Sequence, residues 1–307
     1  MVIYKYLDFT GAVKTIRGNS VLLDIPENYN DPFDCDIYVT DEEEDKAYEL
    51  FVNFQMFKAF YDSVSTQTSL TFSANIFKKE LLHFGKEIKN EKMFEPQTYL
   101  YPFKSTFYKY IKKTKAVLRT EFKEMLKGVY EKIRNSVIVS CFGFSSDQLL
   151  MWAHYADKHR GACIEFEIDD KDFRTVHYDK QKPEFELYKT LQIIFGHQLA
   201  DVDIDFDDEK YAFIYKPLLT KSDDWIYEGE VRCVYSINKR DSKIYEGMDD
   251  KGKTILLLKM PLIKRIYLGC RMSGSSEKTI RECCGDIPIV KMKKKRGEYG
   301  LEPEIAQ

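Results

Sequence analysis

The stretch Lys221-Ser222-Asp223-Asp224-Trp225-Ile226-Tyr227-Glu228-Gly229-Glu230-Val231-Arg232 gathers an amine, two neighbouring glutamates, a guanidinium and two aromatic rings. Read as a strand, it puts Glu228, Glu230 and Arg232 on one face and Gly229, Val231 and Cys233 on the other. Two carboxylates so close can raise one another's pKa, while the arginine fixes one of them or an anionic ligand. The same ionic face equally suits an exposed sheet edge. A second stretch, Ser145 to Gly161, carries Trp152, His154, Tyr155 and His159. Ser145 and Gln148 form a capping box, Gly161 suits a left-handed stop, and His159 and Arg160 complement the helix dipole, so a short helix is predicted over 147–159. Its rings are either core anchors, with His154 as a satisfied partner, or groups of a site.

Other patterns carry less. Gly247 to Thr254 satisfies the letters GxxxxGK[ST] of a phosphate-binding loop, but Ile255-Leu256-Leu257-Leu258 continues as a strand and not as a helix. A hairpin turn is the expectation there. Asp201, Asp203, Asp205 and Asp207 alternate with apolar residues, yet Phe206 and Ala212 stand where a calcium loop needs Gly and Glu. No HExxH, GxSxG or GxGxxG occurs. Cys141 with His154 could form a nucleophile pair, against which stands a buried strand cysteine. Seven cysteines without a CxxC fit free thiols in a reducing cytoplasm, and no metal site is predicted.

The elements that must position these groups follow from periodicity. Residues 2–24 read as strand, short helix closed near Gly18, and strand. Asn30-Asp31-Pro32-Phe33 signals a turn into a helix. Thr40 and Glu43 make a capping box before Ala47, Leu50, Phe51, Phe54 and Phe57, which recur at helical spacing. A long helix is predicted over 104–134 from the stripe Phe107, Ile111, Leu118, Phe122, Met125, Val129 and Ile133. Its other face holds ten Lys/Arg against three Glu, suiting a solvated face or a phosphate-backbone track. Strands follow at 137–141, 162–168, 231–235, 254–258, 263–268 and 287–290, with helices near 147–159, 184–198 and 209–220. A basic, solvated tail runs from Lys291 to Arg296. This order predicts one α+β domain over 1–307, with a mixed or antiparallel central sheet and a helical block inserted at 41–135.

With 307 residues, 44% apolar and 32% charged, the chain can bury a core, which excludes a disordered protein. The run Ile255 to Leu258 is far short of the ~20 apolar residues of a membrane span, and no secretory signal is expected at the amino terminus. A net charge of -3 gives no overall attraction to nucleic acid, so any such binding must be local.

Asn30-Asp31-Pro32-Phe33-Asp34, Met151-Trp152-Ala153-His154-Tyr155-Ala156-Asp157 with Gly161, Trp225 to Arg232, and Ile266-Tyr267-Leu268-Gly269 occur in that order. Together they resemble a widespread bacterial family catalogued as domain of unknown function 2971, from the first strands to about residue 270. More remotely, the opening strand, helix and strand, followed much later by Glu-x-Glu beside aromatics, look like the split-sheet arrangement of ADP-ribosyltransferases. That resemblance implies an NAD-dependent ADP-ribosyltransferase or NAD glycohydrolase. It implies Glu230 as the carboxylate beside the ribose cation and Glu228 as the group that orients or deprotonates the acceptor. Lys221 or Arg232 would meet the pyrophosphate, and Trp152 or Tyr155 the nicotinamide, with His154, Trp225, Asn30 and Asp31 alongside. The first strand has no Arg or His, so Tyr4, Lys5 or Tyr6 takes that place. A macromolecular acceptor, nucleic acid through helix 104–134, and a toxin or phage-defence role with a neutralising protein partner are implied in the same way. A magnesium nuclease built on Asp31, Glu228 and Glu230, and a non-catalytic nucleic-acid-binding or sensor module, are the alternatives.

Overall fold

Asp8 starts the first helix and Asn19 ends it. The Asp8 carboxylate accepts the Gly11 N–H at 2.6 Å, and Asn19, left-handed at φ 45°, returns its N–H to the Thr15 carbonyl. That helix, α1 (Phe9–Gly18), lies between β1 (Val2–Leu7) and β2 (Ser20–Leu23), as the opening residues predict. The protein is described here by a computed structural model covering residues 1–66, 104–135, 137–169, 172–200, 209–237 and 242–304. After β2 come α2 (Asp41–Thr66), α3 (Lys104–Asn135), β3 (Val137–Gly143), α4 (Leu149–His154), β4 (Ala162–Glu167), β5 (Phe173–Thr175) and β6 (His177–Asp179). Then follow α5 (Leu187–Ala200), β7 (Thr220–Ser222), β8 (Glu230–Ser236), β9 (Ile244–Met248), β10 (Thr254–Lys259), β11 (Ile263–Leu268), α6 (Gly274–Cys283), β12 (Ile289–Lys294) and β13 (Leu301–Pro303). Short 3-10 segments occupy Pro26–Asn28, Glu209–Leu219 and Asp223–Glu228. Asp201 to Asp207 lie outside the described residues.

The chain divides into two compact units: Met1–Asp36, Arg134–Lys182 and Pro217–Gln307 form one, Ile37–Ile133 and Pro183–Lys216 the other. The helical unit thus takes in 183–216 besides most of the predicted block. The first unit is α+β. Its eight-stranded sheet runs β13-β12-β11-β4-β1-β3-β8-β5, antiparallel throughout except for β11 with β12. Smaller sheets, β2-β10-β9 and β6-β7, accompany it.

Register sorts the residues of the large sheet onto two faces. Tyr4 pairs with Gly143 and Glu165, and Gly143 with Glu230, so these share a side; Tyr6, Cys163 and Tyr267 continue it. Trp152 packs there with Tyr6, Cys163 and Tyr267. The opposite face is apolar: Ile3, Phe142, Ile164, Phe166, Ile266, Leu268 and Cys233 pack with Ala12, Ile16 and Ile280. In the helical unit Ala47, Leu50, Phe51 and Phe54 bury against Phe122, Val129, Ile133, Leu191 and Phe195. Phe54 stacks on Phe195 at 4.1 Å. Thr40 accepts the Glu43 N–H at 3.3 Å, but the Glu43 carboxylate reaches the Tyr188 N–H, so only half of the capping box forms.

Four local expectations need correction. Asp31 accepts the Phe33 N–H at 2.9 Å, closing an Asx turn; no helix follows Pro32. Helix α4 begins after Gln148, which makes no side-chain cap bond, and ends at His154, because Asp157, Lys158 and His159 are left-handed at φ 43°, 53° and 69°. Gly161 is required by space and not by a positive φ: a Cβ there would lie 2.0 Å from the Leu7 carbonyl oxygen. The basic tail starts as a strand, with β12 parallel to β11 and Met292 buried. The GxxxxGK[ST] letters do form the hairpin turn between β9 and β10, where the Asp249 carboxylate accepts the Lys251 and Lys253 N–H groups at 2.9 and 2.8 Å. The seven cysteines are free, and among the described residues no helix is long and apolar enough to cross a membrane.

Gly161→Ala should therefore prevent folding of the sheet unit, with a loss above ~4 kcal/mol, because two backbones would have to separate. Gly128, in α3, has nothing within 4 Å of a built Cβ, and Gly128→Ala should stabilise by about 0.5–1 kcal/mol. Circular dichroism during thermal and urea unfolding reads both.

Candidate functional site

Glu228 is the last residue of a 3-10 turn and not a strand residue. Ser222 opens that turn by accepting the Asp224 N–H at 3.4 Å, and Gly229 closes it at φ 50°, a conformation that favours glycine. The left-handed step reverses the chain, so Glu228 and the first residue of β8, Glu230, approach one group from two directions. That group is the Lys221 ammonium, delivered by β7 through its parallel pairing with β6. Strand β8 lies between β3 and β5, so its ionic face is interior and the exposed-edge reading fails: Glu228, Glu230 and Arg232 are 4%, 3% and 0% exposed.

All five Arg232 N–H bonds are engaged. Nε and Nη2 clasp the Glu230 carboxylate at 2.6 and 3.1 Å, Nη2 also meets Asp34 at 2.7 Å, and Nη1 donates to the Leu218 carbonyl at 2.6 Å and to Cys35 Sγ at 3.3 Å. Lys221 Nζ lies 2.6 Å from Glu228, 3.4 Å from Glu230 and 3.7 Å from Asp34, and 4.7 Å above the Trp225 ring. The Tyr155 hydroxyl donates to Glu228 at 2.6 Å and is hydrogen-bonded by Asn30. Tyr178 accepts the Glu230 N–H at 2.7 Å. Burial works to raise the Glu230 carboxyl, but Arg232, then Lys221, overcome it and hold Glu230 at about 2. Burial likewise works to lower the Lys221 ammonium, and Glu230 and Glu228 hold it above its ordinary value instead.

Partly exposed rings flank this cluster. His154 is exposed, Tyr155, Trp225 and Tyr227 are partly so, and Tyr227 lies 6.3 Å from His154 and 6.0 Å from Trp225. The other predicted residues are placed differently. Trp152 is 0% exposed, with its N–H on the Ser146 carbonyl and its ring edge-on to Tyr6, so it presents no face to a ligand. Tyr6 is buried and donates to the Ser145 carbonyl; Tyr4 packs beside Tyr267. Lys5 points through the opposite face of the sheet, donating to Ser140 Oγ and the Cys141 carbonyl. Arg232 has no free donor for a pyrophosphate. Asp31 serves its turn. Burial pushes the Cys141 thiol up to about 12, which removes it as a nucleophile at neutral pH.

Asp34, Cys35, Tyr178 and the Leu218 carbonyl complete the cluster and were not predicted as site residues. Asp34 was visible in Asn30-Asp31-Pro32-Phe33-Asp34; Tyr178 carries no local sign of its role. Among the described residues no three His, Cys, Asp or Glu side chains are arranged to hold a metal ion, and the two glutamates already face cations.

Glu230 has its pKa depressed by folding from 4.5 to about 2, so its stabilisation is fully present above 4.5 and is lost as pH falls through that window. Glu230→Gln should cost about 3–5 kcal/mol at neutral pH, since Arg232 keeps its charge without a full partner, and should flatten the fall of stability between those pH values. Urea unfolding at a series of acidic pH values checks both effects.

No curated protein and no solved structure matches the chain. A family model does, over a segment that runs from α4 to β8 and so includes Tyr155, Lys221, Glu228, Glu230 and Arg232. The match spans residues 151–233 and is to the family described as protein of unknown function (DUF2971).

Proposed function

We propose that this chain breaks the bond between nicotinamide and ribose in NAD and transfers ADP-ribose to a macromolecular nucleophile or to water. The observation that carries this reading is a charge balance. Three buried carboxylates, Asp34, Glu228 and Glu230, stand against two cations, Lys221 and Arg232. A surplus negative charge with little water around it favours a cation beside it. NAD supplies one twice: the pyridinium ring before cleavage and the oxocarbenium-like ribose as the bond breaks. The electron pair of the C–N bond leaves with nicotinamide, which departs neutral; the acceptor's N–H or O–H adds to C1′ and releases its proton.

Glu228 is assigned to the cation, in place of Glu230, because its partner Tyr155 belongs to the partly exposed aromatic wall. Glu230, clasped by Arg232, is a positioning residue that keeps Arg232 and Lys221 in place. Tyr155, Tyr227 and Trp225 offer flat faces for the two rings of NAD. An α+β sheet with an opening strand–helix–strand and a late Glu-x-Glu fits the split sheet of ADP-ribosyltransferases. A nucleic-acid acceptor is favoured by Lys123, Lys127 and Lys132, which are exposed on α3, while Arg119 and Arg134 are engaged by acids. A toxin or phage-defence role with a neutralising partner protein belongs to the same reading.

The full chain incubated with NAD should release nicotinamide, detected by chromatography and mass analysis. Glu228→Gln should lower the rate by about 10²–10³ with the circular dichroism spectrum unchanged. Absence of release by the wild type, or an unaltered rate in the variant, overturns the proposal.

A further inference from the structure

Parallel pairing of β11 with β12 sets Leu268 beside Lys291. Arg271, in the turn that follows β11, and Lys294, the last residue of β12, therefore both lie on the side of the carboxyl ends of this parallel pair. His159 arrives there from the left-handed loop after α4: its carbonyl accepts the Arg271 N–H at 3.0 Å. Its imidazole stacks parallel to the Trp152 indole, with 6.4 Å between centroids and 9° between planes, so its orientation is set by the core. Nδ1 of that ring is buried with no hydrogen-bond partner. Burial, and then the charges of Arg271 and Lys294, lower the His159 pKa.

The acids of the adjoining elements do not neutralise this corner. Asp157 faces Arg160 at 3.9 Å, Glu277 faces Arg281 at 2.7 Å and Lys291 at 3.0 Å, and Glu302 faces Lys293 at 3.5 Å. Arg271 and Lys294 are exposed, and among the described residues neither has an ion-pair partner. Two unpaired positive charges beside an imidazole match a dianion. The guanidinium supplies a planar fork, the ammonium a point charge and the imidazole a hydrogen-bond donor.

We propose that His159, Arg271 and Lys294 form a binding site for a phosphate dianion, the terminal phosphomonoester of a small molecule or nucleotide. A phosphodiester, with one charge, leaves a cation unmatched. The site shares no residue with the Glu228 cluster and does not rest on the NAD reading.

Inorganic phosphate titrated into the full chain at constant ionic strength, with chloride as the balancing anion, tests it through the His159 ring resonances in NMR. A saturable shift, with the His159 titration midpoint moved upward, is expected. Arg271→Gln should weaken phosphate at least tenfold and Lys294→Gln several-fold, both with unchanged circular dichroism, while Glu228→Gln should leave it unaltered. Adenosine monophosphate should bind at least tenfold more tightly than a dinucleoside phosphodiester. A shift that chloride reproduces, undiminished affinity in the folded Arg271→Gln variant, or a preference for the diester overturns the proposal.

Discussion

The clasp of Arg232 on Glu230 is the contact on which the arrangement around it depends. A guanidinium at 0% exposure is tolerable only with every N–H matched, and the matching partners come from separate parts of the chain: Asp34 and Cys35 near the start, Leu218 before β7, and Glu230 on the same strand. Such a cluster adds little net stability compared with an apolar filling, because desolvation offsets much of the attraction. What it gives is uniqueness: any register in which β8 slips by one residue would drive Arg232 into the apolar face beside Cys233. Lys221 extends the clasp to Glu228, and Tyr155 extends it again to the partly exposed rings.

The two faces of the large sheet have different duties. One is covered by α1, α6 and the apolar side chains they bring, and is a core in the ordinary sense. The other is part core, under Trp152, and part ionic, under Arg232. Because β1, β3 and β8 are joined in register, Tyr4, Gly143 and Glu230 are consecutive across that second face. A side chain at position 143 would project against the Glu228 carbonyl, since a Cβ built there lies 3.2 Å from it.

Long, alternating or helically spaced segments were legible in the sequence. β1, α1, α2, α3, β4 and β11 lie close to where periodicity puts them. Three-residue strands such as β5, β6 and β7 are too short to show a period, and α6 buries Ile280 alone. At the candidate site the residue types were readable but their environment was not. Glu-x-Glu-x-Arg looks the same at a solvated edge and in a core, and only the distant Asp34 and the interposed β5 distinguish the two. The tripeptide Asp157-Lys158-His159 similarly carries no sign of its left-handed backbone, which is enforced by the Trp152, Ala153 and Ala156 carbonyls accepting N–H groups from the turn.

Both margins of the described sheet are brief. β5 and β13 have three residues each, and β13 ends on Pro303, which has no N–H to offer. A sheet that tapers in this way leaves few free amides along its rims for another chain to dock on, and the middle residue of each rim strand, Arg174 or Glu302, is charged, so fibrous stacking by strand addition is discouraged at both ends.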